Sequence, residues 1–92
     1  MAVEVRVTGS MQKFLRGQKS VPAEGSTVLD VLNHVEADYP GFRDLVMSDG
    51  QLHRFVNVYL NDEDVRYLQQ LDTGLKDGDI LSVLPALAGG AA

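Results

Sequence analysis

The sequence predicts an α+β fold: one mixed sheet of four to five strands, covered on one face by one main helix. Three observations lead there. Apolar and polar residues alternate near the start, in the middle and near the end of the chain. A single segment carries a helical repeat. Two extended segments precede that helix and three follow it, all within 92 residues.

Val3, Val5 and Val7 alternate with Glu4, Arg6 and Thr8, the pattern of a half-buried strand, and Gly9-Ser10 ends it. A second extended segment over 18–22 pairs with it as a hairpin, and the connection carries Phe14 and Leu15, which fold back to cap the core edge. Ser26 or Thr27 caps a helix whose Val28, Leu29, Val31, Leu32 and Val35 fall on one face, with Asp30 near the positive end of its dipole. Tyr39-Pro40-Gly41 stops that helix, since proline cannot continue it. Phe42, Leu45, Val46 and Leu52 dot a polar connection through Ser48-Asp49-Gly50, which predicts a short helical turn packed under a loop. The clearest strand spans 54–60, with Val56, Val58 and Leu60 on one face and Phe55, Asn57 and Tyr59 on the other. Asn61-Asp62-Glu63-Asp64 turns into a short extended stretch over 65–67, and Leu71 and Leu75 sit in a further connection. Asp77-Gly78-Asp79 launches the last strand over 80–84, which Pro85 terminates. No repeat or composition shift divides the chain, so it reads as one domain over 1–85 and a tail over 86–92. Setting the first strand beside the last wraps the middle of the chain around the helix, which is the β-grasp arrangement.

Composition narrows the function. With 45% hydrophobic and 23% charged residues the chain has the balance of a globular domain. At this length roughly 60 to 65% of the unfolded surface can be buried, enough for one modest core. Cysteine is absent, which removes disulfides, thiolate metal sites and cysteine nucleophiles. His34 and His53 are far apart and lack the spacing of metal ligands, so no metal site is expected. The net charge is −5 and the eight basic residues are scattered along the sequence, which argues against a nucleic-acid partner. There is no spanning apolar run and no leader-like start, so the expectation is a cytoplasmic protein without a membrane partner.

The informative segment is the tail, Ala86-Leu87-Ala88-Gly89-Gly90, small and apolar with nothing large enough to pack. Such ends are generally mobile. Fully extended, the residues from Ala86 to Gly90 reach about 17 Å beyond the last strand, at roughly 3.3 to 3.6 Å per residue. Glycine without a Cβ lets the backbone pass a narrow channel and present a carboxylate to a reactive atom. Gly-Gly alone is weak evidence, since many loops contain it.

The chain resembles the ThiS/MoaD family of β-grasp, ubiquitin-like sulfur carriers, closest to the CysO-like branch. The resemblance rests on the run from His53 to Arg66, on the turn Leu75-Lys76-Asp77-Gly78-Asp79, and on Leu84-Pro85-Ala86-Leu87-Ala88-Gly89-Gly90. It implies a protein cosubstrate, not an enzyme. An E1-like adenylyltransferase would use ATP to convert the Gly90 carboxylate to an acyl-adenylate, and a sulfur donor would turn that into a thiocarboxylate. Ala88 and Gly89 would thread the partner's channel. In the CysO-like branch a cysteine synthase takes the sulfur for cysteine biosynthesis, and a JAMM-type metalloprotease restores the Gly-Gly end. No cofactor is bound by the carrier, and every catalytic side chain belongs to a partner. Carriers of this family end at the second glycine. Here Ala91-Ala92 follow, so the resemblance implies a precursor whose last two residues are removed, unless they are an engineered end. The same chemistry admits a ubiquitin-like modifier joined through Gly90 to target lysines, or a carrier for molybdopterin, thiamine or a secondary metabolite.

For docking, the strand parity places Phe55 and Tyr59 on the sheet face away from the helix, beside one apolar set of the last strand. That set is Leu81 with Val83, or Ile80 with Leu84. The expected docking surface is Phe55, Tyr59, Leu81, Val83 and, on the tail, Leu87. Arg54 and Arg66 are expected to pair with Glu63 and Asp64 at the surface, and His34 and His53 to be ordinary boundary residues. Lys13, Lys19 and Lys76 are the default solvated lysines.

Overall fold

The computed structural model describes residues 2–85. The chain runs β1 (Ala2–Val7), a 3₁₀ segment (Gly9–Leu15), β2 (Ser20–Glu24), α1 (Val28–Asp38), α2 (Phe42–Val46), β3 (Met47–Ser48), β4 (Gln51–Leu52), β5 (Val56–Leu60), β6 (Glu63–Asp64), 3₁₀ turns at Val65–Tyr67 and Gln70–Asp72, and β7 (Ile80–Pro85). Five strands form one mixed sheet in the order β2-β1-β7-β5-β6. β1 runs antiparallel to β2 and parallel to β7, and β7 runs antiparallel to β5. A parallel pair cannot be joined by a tight turn, so the middle of the chain crosses over as a helix, and α1 covers one face. The predicted β-grasp class is the observed one.

Register explains the core. Val5 stands opposite Val21 on one side and Leu81 on the other, and Val58 stands opposite Val83. These residues, with Val3, Val7 and Val56, share the inward face, where α1 contributes Val28, Val31, Leu32 and Val35. Met11, Leu15, Phe42 and Val46 close the two sides of that layer. α1 starts where Thr27 Oγ1 accepts the Asp30 N–H at 3.2 Å. It ends at Asp38, ahead of Pro40. Its far end is tied to the next element by Glu36, whose carboxylate accepts the Gly41 N–H at 3.1 and 3.2 Å and the Arg43 N–H at 2.8 Å.

Several local expectations are corrected. β2 begins at Ser20, not 18, because the Gln18 amide donates to the Leu15 carbonyl and the Tyr39 hydroxyl and holds that residue in the preceding turn. β5 begins at Val56, since Arg54 and Phe55 form a turn. The extended stretch lies at Glu63–Asp64, and Val65–Tyr67 is a 3₁₀ turn: the Asp64 carboxylate accepts the Arg66 N–H at 2.9 Å and curls the backbone. Between α2 and β5 lies a small β3–β4 hairpin about Asp49-Gly50, both at positive φ, where a plain loop was expected. β7 includes Pro85, paired with Val56.

Candidate functional site

Because β1 and β5 flank β7, the described residues end at Pro85 in the centre of the sheet rather than at an edge, and Pro85 marks the exit toward residue 86. Leu81, Ser82 and Val83 are paired on both sides, and Leu84 and Pro85 with β5, so the described chain ends on the central strand of the sheet. Leu87, Ala88, Gly89 and Gly90, with the rest of 86–92, lie outside the described residues.

Around this exit the described residues form depressions on two sides. One, of about 440 Å³, is a groove between the 3₁₀ segment, α2 and the turn before β5; Met11, Phe14, Leu45, Phe55 and Pro85 give it an apolar lining, with Lys13, Asp44 and His53 at its margin. Phe55 is 72% exposed, an uncommon amount for a phenylalanine. The other, of about 360 Å³, lies on the sheet face away from α1, lined by Arg6, Thr8, Lys19, Ser82 and Leu84. A third shallow site of about 340 Å³ adjoins it, where Leu84 and Ser82 meet Tyr59. Leu84 is thus common to both open-face depressions, one residue before the exit.

The expected docking set divides accordingly. Tyr59 is half-buried on the open face, opposite Ser82. Phe55 is exposed but lies ahead of the strand and lines the groove, so the two aromatics border different depressions. Leu81 and Val83 are corrected: both are 0% exposed, in the core beneath α1, and cannot touch a partner. The outward set of β7 is Ile80, Ser82 and Leu84. Ser82 is the signal that separates the two sets in the sequence, because a polar residue in the middle of an alternating set marks the solvent side.

The turn bearing Phe55 is built by residues not assigned that part. Arg66 donates from Nη2 to the His53 carbonyl at 2.6 Å and from Nη1 to Asn57 Oδ1 at 3.1 Å, spanning the turn on both sides. Its guanidinium is therefore engaged by these two acceptors and not, as expected, by Glu63 or Asp64; the Asp64 carboxylate accepts the Arg66 backbone N–H instead. His53 bonds through Nε2 to the Asp44 carbonyl at 3.0 Å and through its backbone N–H to the Val46 carbonyl at 2.9 Å, fastening the same turn to α2. His34 Nδ1 accepts the Glu24 N–H at 3.0 Å, a tie between α1 and β2. The described chain thus presents an apolar groove and two open-face depressions around the end of β7.

These features define a β-grasp, ubiquitin-like protein whose central strand ends at Pro85. The chain belongs to the ThiS family, whose model matches residues 5–90 and so ends on Gly90. It is 46% identical to the sulfur carrier protein CysO of Mycobacterium tuberculosis, over 98% of this chain and 100% of that one. It is 38% identical to small archaeal modifier protein 3 of Haloferax volcanii, with the same coverage. Among solved structures it resembles the CysO of Amycolatopsis orientalis, determined in a complex with BexX, at 44% identity and a TM-score of 0.90, over 96% of this chain and 99% of that one. No helix among the described residues is long and apolar enough to cross a membrane.

Proposed function

We propose that this chain is a sulfur carrier. Its Gly90 carboxylate is adenylated by an E1-like enzyme at the expense of ATP and then converted to a thiocarboxylate, which delivers sulfur to an acceptor held by a second enzyme. The observation that carries this reading is the likeness to CysO along the whole chain, together with a family match that stops on Gly90. The fold is suited to the part: β7 ends at the sheet centre, and five residues, as from Ala86 to Gly90, would span about 17 Å if fully extended at roughly 3.3 to 3.6 Å per residue, enough to enter an enclosed site. The chemistry follows from the carboxylate. It resists nucleophiles until its oxygen is made a good leaving group, and AMP is one. Sulfur then replaces the adenylate, and the product is a compact anionic nucleophile.

In the sequence as it stands Gly90 is in peptide linkage to Ala91, so hydrolysis of that bond must precede adenylation. A JAMM-type metalloprotease is the proposed agent and a cysteine synthase the proposed sulfur acceptor, with cysteine biosynthesis as the pathway; the likeness to CysO supports that branch. The likeness to small archaeal modifier protein 3 favours a second reading, conjugation of Gly90 to lysines of target proteins. Intact-mass measurement separates them after incubation with an E1-like enzyme, ATP and a sulfur donor. A carrier exchanges one oxygen for one sulfur; a modifier yields ladders of larger adducts.

A further inference from the structure

The basic residues that are scattered in the sequence are gathered by the fold. The strand directions show how. β1 and β7 are parallel, so the end of β7 lies beside the end of β1 and the start of β2; β5 is antiparallel, so its start lies there too. Arg6 and Lys19 therefore line the depression that contains Leu84, Lys13 lines the groove that contains Pro85, and Arg54 sits in the turn that precedes Val56. All four are exposed. The acids at this end are Asp44, on the groove margin, and Asp38, at the end of α1, whose backbone carbonyl accepts from Arg16 Nη2; Glu4, whose Oε2 is 2.6 Å from Arg6 Nε, lies further back along β1, opposite Ile80. At the opposite end of the same strands stand Glu24, Asp62, Glu63, Asp64, Asp77 and Asp79, with Lys76 among them. A chain of net charge −5 is thus polarised along its strand axis, positive where β7 ends.

We propose that Lys13, Lys19 and Arg54 form a basic collar around the exit of β7 that docks on an acidic protein surface, a rim of aspartate and glutamate around the channel that admits the residues after Pro85. The enzymatic consequence rests on the carrier reading above. Complementary charge at a rim acts on encounter rate and orientation more than on the bound state. Here it turns the molecule so that the Gly90 end arrives first, while the acidic far end is repelled by the same surface. Screening follows from exposure: at physiological salt the Debye length is about 8 Å, so the steering weakens as salt rises.

Two measurements test the collar. In the first, a deca-glutamate peptide is titrated into the isotope-labelled chain at low salt and amide shifts are followed. The expected shifts fall on residues around Lys13, Lys19 and Arg54, and Lys13→Glu with Lys19→Glu abolishes them. No shifts, shifts at the α1 surface, or larger shifts at the collar with a single-stranded oligonucleotide than with the peptide would overturn the proposal. In the second, KM and kcat are measured for charging by an E1-like enzyme. The double variant raises KM about tenfold or more, in line with steering factors of 10 to 10³, with kcat within about twofold of wild type. Lys76→Glu, which makes a like change of charge at the far end, leaves KM unchanged. Equal effects of the two changes, or a wild-type KM insensitive to salt, overturn the collar as a positional device. Melting curves of each variant show that it is folded. If no E1-like enzyme charges the chain, the carrier reading fails and the peptide titration alone decides the collar.

Discussion

Arg66 Nη2 lies 2.6 Å from the carbonyl oxygen of His53, thirteen positions earlier in the chain. With the 3.1 Å bond to Asn57 Oδ1, this contact clamps the turn that holds Phe55 beside the exit of β7. Hydrogen bonds to a charged group contribute roughly 1.5 to 3 kcal/mol. Arg66→Ala is expected to lower unfolding stability by about that amount in urea titrations. Arg66→Lys, with one point charge in place of a fork, recovers only part of it.

The two apolar sets of β7 answer differently to truncation. Leu81 is fully buried, so Leu81→Ala leaves a cavity and loses about 2 to 5 kcal/mol. Leu84 lines both open-face depressions; Leu84→Ala should leave the unfolding midpoint close to wild type and weaken binding to an activating enzyme, read by calorimetry. A Leu84 variant that binds normally would remove the open face from the docking surface.

Gly25 has no room for a side chain. A Cβ there would meet Asp30 Cβ and the Val31 backbone nitrogen at 2.8 Å and Val31 Cγ2 at 2.9 Å. Since a backbone atom of α1 cannot rotate away, Gly25→Ala is expected to lose about 1 to 3 kcal/mol by overpacking. Thr27→Ala, which removes the cap of the same helix, loses about 1 kcal/mol, and Thr27→Ser much less. Thermal melts rank the three.

Glu36 gives the fold an acid-side dependence. The N–H groups of Arg43 and then Gly41 hold its carboxyl below the ordinary value of 4.5. A lowered folded value means that the unfolded state takes up the proton first as pH falls. The contribution is therefore complete above pH 4.5 and is lost as pH drops through the lower folded value. Glu36→Gln should flatten the part of the stability profile that lies below pH 4.5 and lower the melting temperature at neutral pH, with little further change on acidification.

The parts of the fold that were legible in the sequence are those where one local signal is sufficient. Thr27 ahead of a helical apolar repeat gives α1, and alternation about Val5 and Val58 gives the two strands that flank β7. What was not legible depends on partners distant in sequence. The turn at Arg54-Phe55 exists because Arg66 clamps it, and nothing near Phe55 announces an arginine so far downstream. Val65–Tyr67 alternates like a strand, yet the Asp64 side chain captures the Arg66 N–H and bends it into a 3₁₀ turn. The facing of β7 is legible from one residue: Ile80 and Leu84 are as apolar as Leu81 and Val83, and only Ser82, in the middle of the first set, marks the open side. The gathering of Lys13, Lys19 and Arg54 needs the register of three strands and could not be read from spacing.

The central claim is that the reactive atom is the carboxyl carbon of Gly90, and intact-mass spectrometry of two forms tests it most directly. The chain ending at Gly90 and the chain continuing through Ala91-Ala92 are incubated side by side with an E1-like enzyme, ATP and a sulfur donor. The form ending at Gly90 should exchange one oxygen for one sulfur, and the longer form should keep its mass until a protease removes the two alanines. Sulfur gained equally by both forms, or by neither, would contradict the claim.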